Sequence, residues 1–386
     1  MAYFSKHLVD GFKGLCLLFD QEHQAQLAAS EVSNWSVDLG AQAYLNIKMG
    51  MHDGWHLVQI CASEGLEALT PGYDTLDLSK RLGLDTQSHP EQLDLEIVLC
   101  LARAPVAYCF PSVQELKAAV RVRHFAVDAA RRTELAFNPD GYARPEDCWV
   151  YDEGSGFLLR PGVDMVDALI KTTQPEVSGQ QLYTFSCGRA AEYIVLLAIA
   201  QELKGHHPAL YAKLQTQWQT RALLADDFND AFIYEIGSLD HPLPMRFYVP
   251  GSRLWFRNPD SHSADVEGFE GSWVVYHGGG EFCNLWERAK PFSLIDKCLE
   301  IYHWRDGVYI DDDGEIKMNE DIVRERVKQT KESAGSVSRI VERMMRYRDV
   351  RGVYQDGGCI DASRDVVRWV CPETSDLSLG AQSVTT

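Results

Sequence analysis

The chain has 386 residues, 45% of them hydrophobic, and sets 37 Lys and Arg against 56 Asp and Glu for a formal net charge of -19. Such a length and composition suit a globular protein of about two to three domains with at least one sizeable core. An acidic field of this size repels phosphate backbones and anionic headgroups, which excludes nucleic acid as a partner. The most apolar run, Tyr193-Ile-Val-Leu-Leu-Ala-Ile-Ala200, is far shorter than the roughly 20 residues of a membrane-spanning helix, so no membrane partner is expected.

At the N-terminus, Asp10 and two glycines precede the short run Leu15-Cys-Leu-Leu-Phe19. This is a poor secretory signal, and a cytoplasmic location is expected, with export by a route that needs no signal peptide left open. Ten cysteines form no C-x-x-C pair and no zinc-like spacing; they read as reduced thiols, with no metal site.

In the first hundred residues, the stretches 35–39, 44–47 and 55–60 fit strands and short helices equally. Thr70-Pro71-Gly72 marks a turn and the polar segment 85–90 a linker. Ser112-Val-Gln-Glu115 is a capping-box pattern that opens a long amphipathic helix reaching the Glu134 region. Two apolar runs, 148–151 and 157–159, flank a Gly-containing turn and predict a hairpin. A short helix over 163–170 and a polar loop over 172–181 follow.

After Cys187 the pattern is helical and apolar nearly all round, which predicts a buried central helix ending before Gly205 as its C′ residue. A polar helix over 207–224 comes next. The strand-like runs 231–236, 245–249, 253–257, 273–277 and 281–285 then predict an antiparallel meander. Gly278-Gly-Gly280 joins the last two as a hairpin turn rather than a phosphate cradle, because no helix N-terminus follows. The stretch 293–301 is helical, and 319–345 is a charged helical pair suited to packing on the core or on a partner. From Thr374 onward the chain is polar and is expected to be disordered.

A cysteine between a loop and the start of a buried helix gains from unpaired backbone N–H groups and the helix dipole, both of which favour thiolate over thiol. Gly188, next in line, allows a substrate carbonyl to approach backbone amides that can serve as an oxyanion hole. Ser186 or Cys187 is the N-cap. A nucleophilic Cys on a central helix, followed by an antiparallel sheet that supplies base and orienter, is the papain-like plan.

From about 101 to 300 the chain resembles the bacterial spore-coat-type transglutaminases, a papain-like family that crosslinks glutamine and lysine side chains. The resemblance runs collinearly through Ala104-Pro-Val106, Ser112-Val-Gln-Glu-Leu116, Val150-Tyr-Asp-Glu-Gly154, Tyr183-Thr-Phe-Ser-Cys-Gly-Arg-Ala190, Leu243-Pro244, Leu254-Trp-Phe-Arg-Asn-Pro-Asp260, Phe269-Glu-Gly271 and Leu294-Ile-Asp-Lys297. It implies that Cys187 is the nucleophile, that the partners are proteins bearing Gln and Lys side chains, and that no cofactor is needed.

The chain departs from this family where its acids stand: Ser186 precedes the cysteine in place of Glu, and Ser272 occupies a second Glu position. Asn284 or Leu285 replaces a His on the return strand. Three groups are candidates for the missing base. Glu270 lies two residues before Ser272, on the same strand face; His277 is chemically the best base but sits five residues, roughly 16 Å, along the strand; Asp260 is an orienter or a capping residue of a turn. Trp255, Trp273 and Trp286 are available to wall a tunnel for a side-chain amide.

The expected fold is α+β, with a papain-like (NlpC/P60-like) core over 101–310 in which the helix carrying Cys187 packs on an antiparallel sheet. An N-terminal extension over 1–100 and a helical appendage with a disordered tail over 311–386 flank it. The expected activity is transglutaminase-like acyl transfer or deamidation through Cys187, with Glu270 and His277 as candidate catalytic partners. Two alternatives are a binding or structural protein that kept the fold without its acids, and a Cys-dependent amide hydrolase.

Overall fold

The computed structural model describes residues 8–9, 11–138, 143–349 and 357–380. The N-terminal region forms a five-stranded sheet in the order Leu8–Val9, Ala107–Phe110, Gly14–Phe19, Trp55–Ala62, Leu45–His52. Gly14–Phe19 runs parallel to Ala107–Phe110 and antiparallel to Trp55–Ala62. It is buried on both faces, as its unbroken apolar run requires. The undecided stretch 35–39 belongs almost wholly to the helix Glu22–Asp38, whose Ala25, Ala28 and Val32 are buried at helical spacing. The stretches 44–47 and 55–60 lie in the hairpin Leu45–His52 and Trp55–Ala62, closed by Asp53 at φ 49 and Gly54 at φ 84, the turn geometry that an Asp-Gly pair favours.

The polar stretch 85–90 is a tight turn in which the Asp85 carboxylate accepts from the amides of Gln87 and Ser88. It delivers Pro90 to the first turn of the helix Pro90–Ala102. The helix Val113–Arg132 starts where the sequence places it, with Ser112 Oγ accepting from the Glu115 amide at 3.1 Å. Glu115 does not return the bond. Its buried carboxylate accepts from the amides of Val370, at 2.6 Å, and Cys371, at 3.1 Å, and from the Thr374 hydroxyl.

The cysteine helix, Cys187–His206, is the centre of the main core, with every residue from Ala190 to Ala200 buried. It packs between Val113–Arg132 and the strand Gly271–Gly278. It runs through Gly205 instead of ending before it. The stop is set by Pro208, which opens the helix Pro208–Thr220 and keeps His207 out of helical geometry, at φ −139 and ψ 62.

An antiparallel sheet in the order Arg253–Arg257, Gly271–Gly278, Glu281–Phe282, Phe292–Ser293 covers the helix. The expected meander is therefore present but shorter at its start. Residues 245–249 form no strand: prolines bracket them, and the Thr75 side chain satisfies Tyr248, accepting from its N–H at 2.8 Å and donating to its carbonyl at 2.6 Å. Ile233–Ile236 pairs instead with Arg364–Val367.

The helix Leu294–Gly307 begins with a complete Ser293/Asp296 capping box. The charged pair, Glu320–Lys331 and Ala334–Met344, packs on it. Residues 374–380, expected to be disordered, are docked: Leu377 and Leu379 pack on the main core and the Gly380 amide donates to Gln217 at 3.2 Å. The remainder of that stretch lies outside the described residues. No helix among the described residues is long and apolar enough to cross a membrane.

Candidate active site

Ser186 is the N-cap of the cysteine helix, in extended conformation, with its Oγ accepting from the Arg189 amide at 3.4 Å. Cys187 is the first helical residue. Of the ten cysteines, all free thiols, Cys61 and Cys187 are half-buried and the other eight are buried. Cys187 opens into a cavity of about 450 Å³ with Phe137, Phe269, Trp273, Trp286, Phe292 and Trp304 among its walls and charged Lys297, Glu300 and Arg324 also in its lining.

The wall opposite the helix is set by backbone fit. Trp273 lies against the first turn: a Cβ at Gly188 would stand 3.3 Å from the Trp273 Cδ1. Behind it Trp255 stacks on Trp273 with ring centroids 6.0 Å apart and planes at 17°. Gly271 has no room for a side chain because its Cβ would fall 2.1 Å from the Trp255 Nε1. Of the three expected tunnel tryptophans, Trp273 and Trp286 line the cavity and Trp255 supports it from behind.

Burial pushes the Cys187 thiol above its ordinary range, which reverses the expected net effect of the helix start. The opposing influences act as expected in kind: the backbone amide of Trp273, then the Lys297 ammonium, then the Gly188 amide favour the thiolate, while Glu270 disfavours it. Glu270 is exposed just before the strand and, unlike Ser272, is not among the residues lining the cavity; its Oε1 accepts weakly from the Gly268 amide at 3.4 Å.

His277 is not brought to Cys187. It is buried, at 5% exposure, beside Arg131, whose guanidinium donates to its carbonyl at 3.3 Å. Burial, and then Arg131, drive its pKa down to about 3. An imidazole that burial keeps neutral, with a buried, unpartnered Nε2 and no place in the cavity lining, is a packing residue here.

Asp260 takes the capping role: it accepts from the His262 amide at 3.3 Å and from the Ser263 hydroxyl at 2.9 Å. Ser272 faces the cavity with Cys187. Asn284 also lines it, but its side chain is spent on a turn, accepting from the amides of Trp286 and Glu287. Leu285 is core.

Lys297 enters the resemblance only as its last residue, and the resemblance points to no role for it. Its spacing held the signal: Leu294, Lys297, Cys298 and Ile301 fall on one helical face and all are buried. Among the described residues no group of three His, Cys, Asp or Glu side chains is placed to hold a metal ion.

A buried helix that starts with a thiol and packs on an antiparallel sheet defines a papain-like α+β fold. Residues 75–377 match the family described as protein-glutamine gamma-glutamyltransferase, and the chain belongs to that family. A solved transglutaminase from Geobacillus stearothermophilus, without its C-terminal extension, is similar at 18% identity, over 67% of this chain and 95% of that one, with a TM-score of 0.38. The chain matches none of the curated proteins with which it was compared.

Proposed function

We propose that the protein transfers the γ-glutamyl group of a protein-bound glutamine through a thioester on Cys187. The observation that carries this reading is the position of Cys187: the first residue of the central helix, open to an aromatic cavity, with the Trp273 and Gly188 amides favouring its charged form. The thiolate attacks the carboxamide carbon, the C–N bond breaks, and the nitrogen leaves as ammonia after gaining a proton. A lysine amine then attacks the thioester carbon and the C–S bond breaks; water in its place gives deamidation.

The aromatic walls beside Cys187 leave room for the alkyl chain of a lysine amine, which supports transfer as well as deamidation. Glu270 is the carboxylate whose charge reaches the sulfur, and it is the candidate to accept the thiol proton. The reading of the protein as a non-enzymatic relative draws on two observations, the serines at 186 and 272 and the upward shift of the thiol.

Incorporation of a labelled primary amine into a glutamine-rich protein, with ammonia followed in parallel, separates these readings. Incorporation by the wild type that disappears in Cys187→Ala supports transfer, and ammonia without incorporation supports deamidation. Neither signal across a range of acceptors, with a correctly folded protein, supports the non-enzymatic reading.

A further inference from the structure

We infer that Lys297 is the charge partner of Cys187, a positioning residue whose fixed ammonium holds the thiolate where a cysteine enzyme would ordinarily use an imidazolium. The inference rests on the reading of Cys187 as the nucleophile. Both side chains line the same cavity, and the ammonium is one of the influences that favour the charged sulfur.

The cavity's other cations are poorly placed for this task. Lys290, from the loop after the short strand, is 73% exposed and paired with Glu287; Arg324, from the helix Glu320–Lys331, is 61% exposed and paired with Asp321 and Glu320. Water screens both. The Lys297 side chain is 5% exposed. Its Nζ is held 2.7 Å from Glu300 and 4.0 Å from the centre of the Phe292 ring, which fixes its position in a medium that screens it weakly.

The anions around the cavity offset the ammonium only in part: Glu300, its counter-ion at 2.7 Å, is 39% exposed, while Asp296 is paired with Lys331, Glu287 with Lys290 and Glu320 with Arg324, and Glu270 stands in solvent outside the lining. Cys283 also feels the ammonium, yet burial holds its thiol up at about 12. Cys187, open to the cavity, is therefore the thiol on which the cation acts, its proton passing to the acceptor for which Glu270 is the candidate.

The test is the pH dependence of Cys187 alkylation by iodoacetamide, read from the labelled peptide by mass spectrometry. Wild type is compared with Lys297→Met, Lys297→Arg and Glu300→Gln. In Lys297→Met the midpoint rises by about one pH unit and the rate at neutral pH falls about tenfold, while Lys297→Arg stays within about threefold of wild type. Should Lys297→Met fail to fold, Glu300→Gln decides the matter: freeing the ammonium from its counter-ion lowers the midpoint and speeds alkylation. A folded Lys297→Met whose profile superimposes on that of the wild type overturns the inference, as does a Glu300→Gln midpoint that stays or rises. Because alkylation is read independently of turnover, a Lys297-dependent midpoint without acyl transfer supports the pair and counts against the transferase reading. Acyl transfer with a Lys297-independent midpoint does the reverse.

Discussion

Ser186 and Cys187 are joined by one peptide bond and face different cavities. Cys187 lines the aromatic one, and Ser186 lines a separate hollow of about 340 Å³ together with Arg144, Arg189 and Arg221. The N-cap geometry causes the divergence: Ser186 is extended, at φ −80 and ψ 157, and turns its Oγ onto the Arg189 amide. A carboxylate at position 186 would stand in the polar hollow, so the serine there serves the helix rather than the thiol.

Ser186→Ala therefore has a structural effect. Losing the cap costs about 1 kcal/mol of stability, and the rate of Cys187 alkylation at neutral pH stays within twofold of wild type. Denaturant unfolding and alkylation of the same sample check both halves. A tenfold change in alkylation at unchanged stability would give Ser186 a direct part in the chemistry.

Ser272 is in the cavity itself, opposite Phe256 in the strand register and next to Trp273. Ser272→Glu supplies a base where the resemblance places one, and ammonia release from a glutamine substrate is expected to rise by about tenfold or more in kcat/KM, at the low end of what a positioned base contributes. Ser272→Gln, matched in size, brings no gain. Equal rates for the two variants would show that a base at this position does not limit the reaction.

What was legible in the sequence followed local rules. The helix at Cys187 and its Ser186 cap, the hairpin over 148–159, and the strands 253–257 and 273–277 each follow from spacing, caps and turn residues that act over a few positions. The failures came from partners far away in the chain. Glu115 looks like half of a capping box and is instead the anchor of residues 370–374; residues 245–249 look like a strand, but Thr75 has taken the Tyr248 backbone. His277 is the best base by chemistry alone, but its distance along the strand, already legible in the sequence, puts it beside Arg131 instead of Cys187.

The fit of Gly271 beneath Trp255 makes a further prediction. With an added Cβ 2.1 Å from the indole nitrogen, Gly271→Ala displaces Trp255 from its stack on Trp273 at a cost of about 1–3 kcal/mol. The displacement reaches the Trp273 amide that favours the Cys187 thiolate, so alkylation slows as well. Stability and alkylation are measured together; loss of stability with an unchanged alkylation rate would show that the Trp273 backbone is held independently of Trp255.

Two histidines give the stability opposite slopes in pH. His277, driven to about 3 by burial and then Arg131, takes up a proton in the unfolded chain near pH 6.5 but not in the native one, so stability falls as pH drops from about 6.5 toward 3. His124 is raised to about 9, first by Asp128 and then by Asp94, with the Asp94 contact at 2.7 Å. Its contribution is complete below about 6.5 and is lost as pH climbs toward 9. These two terms place the maximum near pH 6.5, with each limb worth on the order of a few kcal/mol. His277→Gln should flatten the acid limb, and His124→Gln should flatten the alkaline limb while lowering stability at the maximum. Thermal unfolding followed from about pH 4 to about 9 tests the assignment, and an acid limb that keeps its slope in His277→Gln would transfer that slope to carboxylates held below their ordinary range, such as Asp164 beside Lys204 and Asp296 beside Lys331.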